Sequence, residues 1–380
     1  MCPVTRGSGQ MNSTAFAVIT GGGTAGHVLP ALAIADSLVA GGHRADEIVY
    51  VGARRGIETK LLKDSPYPHH FLDVVGLQRR LAVGNIAFPF KLIRATLAAR
   101  ALLKQLRPAV VVSVGGYASF PATFAARLAH IPIVVVSYDR RPGLATRVSA
   151  RFASVCAVAF EGSKLPHARI TGAPVRGELV SLDRMAARDH ARELLGVPDD
   201  RFLVAVFSGS LGSKAINEAV TEMVEIFERR SELAVRHVVG ERFLADAAPS
   251  SSGEGGIMYD VVGYEDHMVQ VYAAADLMIT RAGASTIAEL STAGVPAIII
   301  PWPGAAEDHQ TDNASILGSI GAAVVLAETE LSGLRLATLV NELFHDQASL
   351  QEMAASAYAA GEIHRSGRLA SVIELMAEQR

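Results

Sequence analysis

The run Thr20-Gly21-Gly22-Gly23-Thr24-Ala25-Gly26-His27 lies between an apolar segment, Phe16–Ile19, and a helix-like segment, Val28–Ala40. A glycine-rich turn in that position lets backbone N–H groups approach an anionic or polyhydroxylated ligand, and the following helix adds the positive end of its dipole. His27 places one imidazole at the mouth of the turn, where it can accept a proton. Thr24 and Gly26 are candidate binding residues here. His27 is the candidate base.

Three further turns carry chemistry of the same kind. Gly115-Gly116-Tyr117-Ala118-Ser119-Phe120-Pro121 also separates a strand from a helix, and its Tyr117 reads either as a binding-site wall or as a core tyrosine. Ser208-Gly209-Ser210-Leu211-Gly212-Ser213 offers a third turn, with Ser210 as its candidate. In Arg281-Ala282-Gly283-Ala284-Ser285-Thr286-Ile287-Ala288-Glu289, Gly283 opens a helix. The Ser285 and Thr286 hydroxyls and nearby N–H groups there can hold a diphosphate, or simply cap the helix. Glu289, one turn further in, reads as a ligand for both hydroxyls of a ribose or as a solvated helix carboxylate. Glu307-Asp308-His309-Gln310 and Asn313-Ala314 add polar groups suited to sugar hydroxyls.

Other nucleotide chemistries fit poorly. GGGTAGH is not the GxGxxG of dinucleotide binding, the second strand ends Val51-Gly52-Ala53-Arg54 with no acidic residue, and no GxxxxGK[ST] or Asp-x-Asp metal motif occurs. No cofactor and no metal are expected.

The elements that position these turns alternate. Continuous apolar runs at Phe16–Ile19, Glu47–Val51, Ala109–Val114, Ile131–Ser137 and Val155–Phe160 predict strands covered on both faces. Helical patterns fall at Val28–Ala40, Ala87–Leu106, Pro121–Ala129 and Leu144–Phe152. The pattern restarts with strands at Phe202–Phe207, Val235–Val239, Met258–Val262, Leu277–Thr280, Ala297–Pro301 and Ala323–Leu326. Helices at Lys214–Glu228, His267–Ala274 and Ser285–Ala293 separate them, and Ala248–Gly256 reads as a surface loop. The fold class is α/β: two Rossmann-like, doubly wound parallel-sheet domains, 15–175 and 176–362, with ligands expected in a cleft between them at the strand C-termini. A C-terminal helix near 363–380 is expected to pack back on the first domain.

The chain has 380 residues, half of them apolar and 19% charged, so disorder is excluded and two cores are expected. Its net charge of −3 gives no reason to expect nucleic acid, and two cysteines, Cys2 and Cys156, imply no disulfide framework. Met1–Thr14 reads as a disordered leader with Met11 an alternative start, and no apolar run approaches the roughly 18 residues of a membrane span. Charge is uneven, however. From Val74 to Tyr138 there is no acidic residue but eight basic ones: Arg79, Arg80, Lys91, Arg94, Arg100, Lys104, Arg107 and Arg127. Between Gly76 and Leu106 they interleave with Ile86, Phe88, Phe90, Leu92 and Ile93, as in a helix lying on an anionic leaflet or an ordinary amphipathic helix on the sheet.

Taken together, TGGGTAGH, GGYASFP, GSLG, RAGASTIAE and DHQ…NA resemble the MurG family of GT-B glycosyltransferases in order and spacing, from about residue 15 to the C-terminus. The resemblance implies inverting transfer of N-acetylglucosamine from UDP-GlcNAc to the 4-hydroxyl of lipid I, making lipid II. It implies that Glu289 holds the uridine ribose, Ser210, Ser285 and Thr286 the diphosphate, and His309 and Gln310 the donor sugar. Arg176 would neutralise the diphosphate, or form an interdomain salt bridge. His27 would act as base or only position the acceptor diphosphate, with a bland capping histidine as the remaining reading. Expected partners are UDP-GlcNAc, lipid I, an anionic membrane surface and the cell-wall and division machinery, with the protein peripheral on the cytoplasmic face of the membrane.

Two departures from the family stand out. Its His-Glu-Gln-Asn segment is replaced by Val136-Ser137-Tyr138-Asp139. Ser137 stands where the family has a carboxylate for catalysis or acceptor binding, and Asp139, two positions on, is the candidate catalytic carboxylate that substitutes for it in part. Tyr264-Glu265 stands where an aromatic–aliphatic pair is usual. They keep three alternatives open: a paralogue glycosylating another lipid or a natural product, a non-catalytic UDP-sugar-binding scaffold, and an epimerase-type enzyme.

Overall fold

The computed structural model describes residues 14–55, 58–74, 88–209, 211–305 and 308–380. The chain divides into two compact units, Met1–Gly177 with Ser366–Arg380, and Glu178–Arg365. The expected Met1–Thr14 leader, apart from Thr14, lies outside the described residues, as do Arg79, Arg80 and Ile86.

In the first unit, β1 (Ala17–Gly21), β2 (Ile48–Ala53), β3 (His69–Leu72), β4 (Val110–Gly115), β5 (Ile133–Ser137), β6 (Val155–Val158) and β7 (Ala168–Ile170) form one sheet. Its order is β3-β2-β1-β4-β5-β6-β7, parallel throughout. Val18, Val49, Val111 and Val135 are wholly buried, because helices cover the sheet; each such side chain contributes roughly 1.5–3 kcal/mol. The helix Phe88–Leu106 buries Ala95, Ala99, Leu103 and Leu106, one face at helical spacing. The edge strands β3 and β7 were not expected from sequence. β7 is exposed along its length and β3 has only its last residue buried, so neither forms the apolar run that marks a covered strand.

The second unit repeats the plan with β8 (Phe202–Phe207), β9 (Leu233–Val238), β10 (Met258–Val262), β11 (Leu277–Thr280), β12 (Ala297–Ile299) and β13 (Ala323–Val325), ordered β10-β9-β8-β11-β12-β13. Its core gathers Val204, Val206, Ile216, Val220, Met223, Ile279, Ile298 and Val340. The helix Arg184–Leu195 escaped the sequence reading because its inward side is charged. Arg188 and Arg192 both reach Asp276, at 2.6 and 2.7 Å, and Arg184 donates to the carbonyls of Tyr272 and Gly294, each at 3.2 Å.

Gly367, with φ +69°, splits the expected C-terminal helix into Glu362–Arg365 and Arg368–Ala377. The first piece belongs to the second unit. The other lies in the first, where it buries Leu369, Ile373 and Met376 beside the helix Ala25–Ala40 and the strands β4 and β5.

Strand order reverses between β1 and β4 in one sheet and between β8 and β11 in the other. At such a switch point the loops leaving neighbouring strands diverge and open a crevice. Those four strands carry the four glycine turns.

Candidate active site

In the first unit, the turns after β1 and β4 touch. The register between these strands shifts between Thr20 and Gly21, which brings Gly116 against Gly22. A Cβ on Gly116, where φ is +77°, would lie 2.1 Å from the Gly22 carbonyl oxygen, so only glycine fits. Four side chains then brace the turn. The Tyr50 hydroxyl donates to Gly21 O at 2.8 Å and the Tyr138 hydroxyl to Gly26 O. Tyr117 lays its ring against Gly23 and donates to Arg55 O at 3.2 Å. From below, the wholly buried Glu58 accepts the Gly23 N–H at 2.8 Å.

Thr24 is the N-cap of the helix Ala25–Ala40, yet its hydroxyl makes no capping bond. It lies 2.9 Å from His27 Nδ1 instead. With the proton on Nδ1 donated to that hydroxyl, Nε2 is left as a proton acceptor. Burial lowers the His27 pKa below the ordinary 6.5, and the carboxylates of Asp139 and then Glu58 oppose it. Burial therefore leads in favouring the neutral ring. Asp139 follows β5, with Ser137, Arg140, Phe160, Glu161 and Ser163 lining a small recess beside it. Arg176 is half-buried near the end of this unit.

In the second unit, Gly283 is the N-cap of the helix Ala284–Ala293 and supplies no side chain to it. The first-turn N–H groups, together with the half-buried Ser285 and Thr286, are thus available to an anion. Glu289 accepts the Tyr272 hydroxyl at 2.9 Å, which orients its carboxylate. Gln310 accepts the N–H of Ala282 at 3.3 Å and of Trp302 at 2.9 Å, and Asn313 donates to Ala282 O at 3.2 Å. Arg281 donates to Ile300 O at 3.1 Å and to Ser213 Oγ at 2.7 Å, and pairs with Glu328. These bonds hold the turns after β8, β11 and β12 in one rigid group. His309 begins the helix His309–Gly318. Ser210 and Glu307 lie outside the described residues.

Residues 17–158 match the glycosyltransferase family 28 N-terminal domain, and residues 203–368 its C-terminal domain. The UDP-N-acetylglucosamine–N-acetylmuramyl-(pentapeptide) pyrophosphoryl-undecaprenol N-acetylglucosamine transferase of Desulforudis audaxviator is 36% identical over 370 residues, 95% of this chain and 98% of the relative. The enzyme of the same name from Acidothermus cellulolyticus is 37% identical over 368 residues, 96% and 98% of the two chains. The crystal structure of Acinetobacter baumannii MurG superposes with a TM-score of 0.71 at 30% identity, covering 96% of this chain and all of that one. The chain belongs to the MurG family.

As a MurG-family member it is a glycosyltransferase with the GT-B pair of Rossmann-like domains. Of the residues singled out in the sequence, the first unit gathers Thr24, Gly26, His27 and Tyr117, with Asp139 near enough to act on His27. The second gathers Gly283, Ser285, Thr286, Glu289 and Gln310 around β11. Glu265 is buried and paired with Arg236 at 2.6 Å, while Tyr264 is exposed, which accounts for that departure as a polar lock within the unit. Glu58, Tyr50, Tyr138 and Arg281 went unsingled. No acidic residue ends β2, as the sequence reads; Glu58, five residues beyond Ala53, begins the next helix and folds back under the glycine turn.

Proposed function

We propose that the protein transfers N-acetylglucosamine from UDP-GlcNAc to the 4-hydroxyl of lipid I, forming lipid II with inversion at the sugar carbon. One observation carries the mechanism: the imidazole of His27, held by Thr24 on a glycine turn at the switch point of its sheet. His27 Nε2 takes the proton of the acceptor hydroxyl as its oxygen bonds to C1 of the sugar. The C1–O bond to the diphosphate breaks, and UDP leaves with the electron pair. The first-turn N–H groups of Ala284–Ala293, with Ser285 and Thr286, stabilise the departing charge, and Arg176 adds a cation. Glu289 receives the ribose hydroxyls, and His309 and Gln310 the sugar. The donor and acceptor are those named for the relatives above.

The helix Phe88–Leu106 supports a membrane-bound acceptor. Phe90, Ile93 and Leu97 recur on one face and are 73%, 58% and 58% exposed, with Lys91, Arg94 and Arg100 exposed on the same helix. Such a surface enters the interface of an anionic leaflet, on the cytoplasmic face where UDP-sugars are made. Among the described residues no helix is long and apolar enough to cross a membrane.

Incubation of the purified protein with UDP-GlcNAc and a lipid I analogue tests the reading: the disaccharide is expected, and its absence sinks it. Ser137, where the family has glutamate, favours a second reading in which the acceptor is another lipid or a natural product; turnover of that acceptor alone would select it.

A further inference from the structure

The carboxylate of Glu58 belongs to no step above, yet it is the most deeply placed charge near the first glycine turn. It is 0% exposed. Its Oε1 accepts the Gly23 N–H at 2.8 Å and the Ala53 N–H at 3.4 Å, while Oε2 is buried with no hydrogen-bond partner. The fit to the turn is close: a Cβ on Gly22 would lie 2.1 Å from Oε1. A buried carboxylate with one oxygen unsatisfied is costly to the fold, and a residue kept only to close a turn could use a neutral amide.

We propose that Glu58 is a positioning residue for the transfer reaction, fixing the Gly22–Gly23 backbone and supplying negative charge to the pocket that holds His27. The inference rests on the reading of His27 as base. When the acceptor proton arrives on Nε2, the half-buried ring becomes a cation; the Glu58 carboxylate offsets that cost without touching substrate. Three groups already feel its charge: it raises the pKa of Tyr50 and Tyr117, in each case after burial, and opposes the burial that lowers that of His27. Thr24 meets Nδ1 of the imidazole, and Gly115 lies beside its Nε2 edge with Thr146 next to it. The charges that act on the ring are Asp139, from the segment after β5, and Glu58, from the helix Glu58–Leu61. Tyr50, Tyr117 and Tyr138 reach the same turn at Gly21, Gly23 and Gly26. Arg147, on the helix Leu144–Ala150, is exposed, and Glu374 of the C-terminal helix pairs with His43. Asp139 is therefore the other carboxylate to control.

The test is a pH titration of the His27 imidazole by NMR in the free full-length protein, assigned with His27→Ala, in wild type, Glu58→Gln and Asp139→Asn. Glutamine keeps an oxygen for the Gly23 N–H and removes the charge. Glu58→Gln is expected to lower the His27 midpoint by about half a unit to one unit. On lipid I analogue its kcat should fall about threefold to tenfold, with donor KM within about twofold. An unchanged midpoint overturns the proposal, whatever the activity. If Glu58→Gln does not fold, Glu58→Asp is read instead: it keeps the charge but shortens its reach, so a smaller fall is expected and no fall overturns. A midpoint that moves in a protein making no disaccharide leaves Glu58 charging the pocket and rejects the transfer reading instead.

Discussion

At the scale of single residues, charge is controlled by burial. His27→Ala should lower kcat by about 10²- to 10⁴-fold, the usual worth of general-base catalysis, while leaving UDP-GlcNAc affinity intact by calorimetry. The acid limb of kcat/KM should lie below 6.5, since burial lowers the His27 pKa. Two other histidines govern stability. His237 is wholly buried between the Tyr259 hydroxyl at 2.9 Å and Asn217 Oδ1 at 3.1 Å, and burial lowers its pKa to about 4; burial and then Arg365 do the same to His364. A folded pKa below the unfolded one means the unfolded chain binds the proton first. Stability from these rings is complete above pH 6.5 and drains away as pH falls toward 4, by about 3 kcal/mol for each. Denaturant melts from pH 7 to pH 4 should show it, and His237→Gln should remove that ring's share of the slope. The glycine turns that carry Thr24, His27 and Ser285 were legible because turn chemistry is local. Glu58 and Arg281 were not, since each acts on backbone that only the folded sheet brings near.

At the scale of elements, two helices show how pattern reading succeeds and fails. Phe88–Leu106 was visible as a helix and carries Phe90, Ile93 and Leu97 on its open face. Replacing these three with serine should abolish cosedimentation with anionic vesicles; neutralising Lys91 and Arg94 should weaken it by about 1 kcal/mol each. Transfer to a short-chain, soluble acceptor should be unaffected by either change. Arg184–Leu195 was invisible, because Arg184, Arg188 and Arg192 resemble a solvated face although Arg192 is 1% exposed. Its partner Asp276 holds both Arg188 and Arg192 and accepts the Leu203 N–H at 2.8 Å. Asp276→Ala strands the buried Arg192 beside a half-buried Arg188 and should cost about 3–5 kcal/mol in chemical denaturation. The central strands were legible for the opposite reason: β1, β2, β4 and β8 are covered on both faces and so read as unbroken apolar runs.

At the scale of the whole molecule, the chain crosses between its units twice, after Gly177 and after Arg365. Deleting residues 366–380 should therefore injure the first unit. It removes the buried Leu369, Ile373 and Met376, each worth about 1.5–3 kcal/mol, a large share of a domain's net stability. Limited proteolysis of the truncated chain should cut first within residues 14–177, and protection there equal to wild type would refute this. The two doubly wound units were readable from the restarting pattern. The Gly367 break was not, because one glycine in a helical run does not say which side of it belongs to which core. The double crossing also bears on synthesis. The first unit leaves the ribosome before the second, yet cannot complete its core until the helix Arg368–Ala377 has emerged. The second unit has all its own strands and helices in hand earlier. The half that bears His27 is thus begun before the other and completed after it, and residues 366–380 act as the latch that commits it.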